Sequence, residues 1–107
     1  MSLDVFLMAM KQVSVFDWNI THNLGGMADE AGIYKALWRP EEIGISKAGE
    51  LIDILQTGLN LLKDKPDHFK KFNPENGRGS YVGLVNFVEA YLQACIENPD
   101  TDIEVYR

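Results

Sequence analysis

Between Val13 and Trp38 the spacing of apolar residues changes from two to three and four. Val13 and Val15 alternate with Ser14, and the aromatic Phe16 and Trp18 follow. Side chains repeating every second position read as a strand, here drawn over Lys11 to Thr21. From Thr21 onward, Leu24, Met27, Ala28, Ala31, Tyr34 and Trp38 recur at helical spacing. That pattern predicts an amphipathic helix of roughly four turns, capped by Thr21 or Asn19 and stopped at Arg39-Pro40. A strand feeding straight into a helix restricts the chain to folds that layer helices on a sheet.

The rest of the pattern follows that frame. Leu3 to Met10 is too short to assign, as strand or as helical turn. Ser46 reads as the N-cap of a second helix carrying Ala48, Leu51, Ile52, Leu55, Leu59 and Leu62 on one stripe. Lys63 and Lys65 suit its C-terminal end, and Pro66 stops it. One more turn is expected over Asp67 to Phe72, with Phe69 and Phe72 facing inward. Asn73 to Ser80, NPENGRGS, reads as a loop. Ser80 caps a third helix whose stripe is Tyr81, Leu84, Val85, Val88, Tyr91, Leu92, Cys95 and Ile96. Phe87 falls outside that stripe, which fits a central helix or a face shared by a homo-oligomer. Ile103 and Val105 predict a short last strand. The expected fold is a single α+β, mainly α domain over residues 1–107, ordered β-α-α-α-β. Its three helices pack on a two-stranded sheet formed by the terminal strands.

Composition excludes several functions. The chain has 107 residues, 46% of them hydrophobic, and a net charge of -6. One domain of this size buries roughly 60–70% of its unfolded surface without staples. The acidic balance and scattered Lys and Arg argue against direct binding of nucleic acid. No stretch approaches the ~20 apolar residues of a membrane span, so no membrane partner is expected. Met1 to Phe16 lacks a basic n-region, so no signal peptide is expected. A single cysteine, Cys95, gives no internal disulfide, and a cytoplasmic setting is the default.

Chemistry-bearing residues crowd the strand-to-helix junction. Asp17, Asn19, Thr21, His22 and Asn23 are candidate ligand-binding residues, with Trp38 and Arg39 near the helix end. Unpaired N–H groups there could receive a small polar ligand or an anion. Capping by Asn19 and Thr21, with a histidine bonded to a neighbouring carbonyl, explains the same residues without a ligand. Trp18 and Trp38 read first as core anchors. His22 and His68 lie far apart, and neither H-x-x-x-H nor C-x-x-C occurs, so neither a metal nor a cofactor is expected. Cys95 sits on an apolar stripe as an inert thiol.

The runs D-W-N-I-T-H-N-L (Asp17 to Leu24), A-G-I-Y-x-x-L-W-R-P-E-E (Ala31 to Glu42) and G-S-Y-x-G-L-V (Gly79 to Val85) carry a resemblance. They look like a group of small bacterial and phage or prophage proteins without an established activity. The resemblance implies a bacterial or phage-infected cytoplasm and transfers no catalytic residue. The leading expectation is a binding or interaction domain with no catalysis of its own, contacting a protein or a small polar ligand. The alternatives are a small enzyme using His22 as general acid or base, oriented by Asp17 or Asn23, and an acidic mimic that inhibits a nucleic-acid-binding protein.

Overall fold

The structure, a computed structural model, describes residues 1–10 and 13–107. Its strands are β1 (Ser2–Met10), β2 (Val13–Thr21) and β3 (Asp102–Tyr106). Its helices are α1 (Gly25–Glu30), α2 (Tyr34–Trp38), α3 (Ile52–Asp64), α4 (Pro66–Lys70) and α5 (Tyr81–Glu97). The fold is α+β, and none of these helices is long and apolar enough to cross a membrane.

The sheet corrects the first expectation. It has three antiparallel strands in the order β2-β1-β3, so the two strands predicted from sequence do not pair with each other. Both flank β1, the segment left unassigned. Leu3, Val5 and Leu7 are completely buried and point to one face, which makes β1 the natural centre. Directly opposite them stand Ile20, Trp18 and Phe16 on β2, and Val105 and Ile103 face Val5 and Leu7 on β3. This face lies under the helices. The opposite face carries Asp4, Phe6, Met8, Asp17, Asn19, Asp102, Glu104 and Tyr106 and has no layer over it. The expected strand included Lys11, which lies outside the described residues.

The long helix expected from Leu24 to Trp38 is broken. Gly32 takes φ +78 between α1 and α2, a left-handed conformation that ends the first helix cheaply only in glycine. The break seats Ile33, fully buried, against α3, where Gly58 leaves room for it. Apolar spacing had continued through the break, so periodicity alone could not show it.

The other helices follow most of their patterns, but Ile96, expected on the α5 stripe, is 47% exposed at the last turn of that helix. α3 buries Leu55, Leu59 and Leu62 along one stripe. Its approach differs from the expected Ser46 cap: the Glu50 carboxylate accepts from the N–H groups of Ser46 and Lys47 at 3.1 and 2.9 Å. Those two bonds hold the Glu50 pKa below its ordinary value, against a smaller desolvation effect. Phe69 is buried as expected, but Phe72 is 37% exposed, because the helical turn of α4 ends before it. Ser80 caps α5 by accepting from Gly83 N–H at 3.1 Å. The Tyr81 hydroxyl donates to the Leu62 carbonyl at 2.7 Å and ties the start of α5 to the end of α3.

α5 is the central helix. Phe87, outside the predicted stripe, is fully buried because α5 packs on two sides, against α3 and under β2. Phe87 meets Trp18 with centroids 6.1 Å apart, and Tyr91 stacks on Phe16 at 5.4 Å.

The two sheet edges differ. Along β3, Ile103 N–H donates to the Ser46 carbonyl at 3.0 Å and Ala48 N–H to the Thr101 carbonyl at 3.0 Å. Lys47 pairs with Asp102 at the same place. The 46–49 segment thus covers the Asp102–Ile103 end of that edge. Among the described residues, no other segment makes a backbone hydrogen bond to the outer edge of β2.

Candidate functional site

The polar junction exists where the change of period placed it. β2 ends at Thr21, and a short 3-10 turn, His22–Leu24, leads into α1. Thr21 caps the turn, its hydroxyl accepting from Asn23 N–H at 3.2 Å. Asn19 plays a different part from the expected cap. Its amide donates to Asp4 Oδ1 at 2.7 Å and to Ser2 Oγ at 2.9 Å, across the open sheet face to β1.

Strand geometry splits the candidate residues. Asp17 and Asn19 project to the open face, whereas Trp18 and Ile20 project toward the helices. His22 lies past the end of the strand, and no hydrogen bond joins it to Asp17 or Asn23 among the described residues. Its Nε2 is enclosed and has no hydrogen-bond partner there, while its ring lies edge-on to Trp38 with centroids 6.0 Å apart. Asn23 reaches the other way and donates to the Arg78 carbonyl at 3.4 Å.

Trp38 meets the junction through the His22 ring, whereas Arg39 lies in a second locality. Trp38 is 3% exposed and stacks on Tyr34 at 5.2 Å, a core position. Arg39 pairs with Glu42 at 3.1 Å. The Tyr34 hydroxyl and the Glu42 carboxylate raise the pKa of its guanidinium. Arg107 closes the same corner by donating to the Trp38 carbonyl at 2.8 Å and to Glu41. Burial pushes the Cys95 thiol up to about 12. Among the described residues, no three His, Cys, Asp or Glu side chains group closely enough to hold a metal.

The two tryptophans part company. Trp18 is 39% exposed, because β2 is an edge strand and α5 covers only the inner part of its ring. That ring forms one wall of a groove of about 300 Å³. Ile20, Thr21 and Leu24 continue the wall, and Gly79, Ser80, Gly83 and Asn86 face them from the start of α5. Sequence reasoning missed this second wall, since packing rather than chain order brings it in. The loop before α5 reaches Thr21 through Gly79, at φ +94, where a Cβ would meet Thr21 Cγ2 at 2.7 Å. Gly79 and Gly83, on either side of the helix start, were the available signal, and they read equally well as loop and helix packing chemistry.

The candidate site lies along the edge of the sheet. Val13, Val15 and Trp18 are 44, 43 and 39% exposed along β2. Beside them run the apolar groove and the unpaired outer edge of the strand. Comparison with protein-family models, curated proteins and solved structures gives no match.

Proposed function

We propose that this chain is a binding domain with no catalysis of its own, and that it engages another protein along β2. The observation supporting this reading is the exposed apolar side chains of Val13, Val15 and Trp18 along an edge that no described segment covers, with Trp18 forming one wall of a groove of about 300 Å³. Exposed edges are normally short, charged, interrupted by proline or covered. β2 is nine residues long, with Asp17 as its one charged residue and no proline; its pairing with β1 is regular from Phe16 to Thr21 and shifts register over Val13 to Val15. The β3 edge of the same sheet is only five residues long and is paired at its Asp102–Ile103 end.

A photo-crosslinking residue at Val15, compared with one at exposed Glu75 in the distant loop, tests the reading. With the full chain in its native cell extract, a defined protein should crosslink from Val15 and not from Glu75. Equal labelling from both positions, or none above background, refutes the assignment of β2 as the contact surface.

A further inference from the structure

Resting on that reading, we propose how the partner binds: β2 accepts an extended segment as a fourth strand, apolar on one face and basic on the other. Three independent features specify this occupant. The first is the hydrogen-bonding edge. β2 pairs with β1 on one side, and its alternate N–H and C=O groups point outward along the other. A helix or a small molecule cannot satisfy such a row, whereas an added strand does so residue by residue.

The second is the groove. Side chains alternate across a strand, so every second residue of the incoming segment falls on the helix side. There it meets Trp18, Ile20 and Leu24, with Gly83 on α5 lacking a side chain that would block entry. Only Ser80 Oγ, at 3.4 Å, lies near the Cβ position of Gly83. This wall selects apolar residues at those alternate positions.

The third is charge. The remaining side chains of the incoming strand fall on the open face, next to Asp17 and Asn19. Phe6 on that face stands between Asp17 on β2 and Glu104 on β3, while Asp4 and Asp102 occupy the neighbouring rows. Lys47 is paired with Asp102 at the far edge. Arg107 turns away to Glu41, and Arg78 lies past the Thr21 end of β2. Lys or Arg on the incoming strand lies beside Asp17, with Asp4 one strand further on. A second copy of this chain fits poorly, because edge-to-edge pairing would place another Asp17 and another acidic face beside the first.

The probe is an acetylated peptide alternating valine and lysine, matched to the nine residues of β2. A valine–glutamate peptide of the same length is the control. Both are titrated to millimolar concentration into the full, nitrogen-labelled chain and followed by NMR. The lysine peptide should shift the amides of Phe16 to Thr21 together with Gly79, Gly83 and Asn86, and should slow hydrogen exchange along β2. The glutamate peptide should bind at least about tenfold more weakly. Gly83→Leu should block the groove and remove binding while preserving the circular dichroism spectrum and melting temperature. Asp17→Lys should narrow or invert the charge preference.

No β2 shift with the lysine peptide, equal binding of the two peptides, or binding unaffected by Gly83→Leu each overturns strand addition. A protein that crosslinks at Val15 when the lysine peptide fails preserves the binding-domain reading and removes this mode. Failure of both experiments removes both.

Discussion

Gly58 in the interior of α3 offers a direct measure of how tightly the broken first helix is seated. Replacing glycine by alanine inside a helix normally gains about 0.8–1.0 kcal/mol. Here the new Cβ would lie 2.3 Å from Ile33 Cγ2. Ordinary carbon contacts are about 3.5–4.0 Å, so more than an ångström must be recovered by movement. Ile33 is completely buried and β-branched, which leaves its methyl little freedom to swing aside. Overpacking of this kind costs about 1–3 kcal/mol and outweighs the helical gain. Gly58→Ala should therefore destabilise the protein by up to about 2 kcal/mol net in urea unfolding. The next neighbours, Ala31 O and Ile33 Cβ, are at 3.4 and 3.5 Å, which an alanine tolerates. In an Ile33→Ala background, itself about 2–5 kcal/mol less stable, the sign should reverse, and Gly58→Ala should stabilise by up to about 1 kcal/mol. A Gly58→Ala protein more stable than the parent, or the same sign in both backgrounds, would show that Ile33 is not wedged against α3.

Three further outcomes are expected. Ser80→Ala should cost about 0.5–2 kcal/mol in the same assay, since Gly83 N–H loses its cap; no change would mean that water replaces the hydroxyl. The Glu50 pKa is depressed in the folded state, so its contribution is complete above the unfolded value and fades as pH falls through the folded one. Thermal melts of the wild type and Glu50→Gln should differ at neutral pH and converge in acid below the ordinary glutamate range, and a gap that persists there contradicts the assignment. Cys95 is completely buried and its thiol pKa is raised, so a thiol reagent should label it only as the chain unfolds. Labelling at the rate of a free thiol in native buffer argues against that burial.

Much of the helical layer was legible because α3 and α5 each bury one periodic stripe and begin or end at a recognisable residue. The central strand was not. On β1 the open-face positions include Phe6 and Met8, so alternation is masked by an apolar run from Val5 to Met10. Gly32 was equally silent, because it lies between apolar residues that keep helical spacing on either side. The junction at Thr21 was legible from the change of period, and Thr21 does cap it. Which of its neighbours share a face was not, because strand parity sends Asp17 and Asn19 one way and Trp18 and Ile20 the other. The groove's second wall, Gly79 to Asn86, depends on tertiary packing that no local pattern records.

The order β2-β1-β3 also sets a timetable. During synthesis the β1–β2 hairpin can close early, since its strands are neighbours in the chain. The middle strand then waits with one flank unpaired until Asp102–Tyr106 leave the ribosome, after every helix has emerged. Contacts this distant along the chain close slowly. Until the last strand arrives, the growing chain offers two bare flanks, and only one of them is shut in the finished molecule.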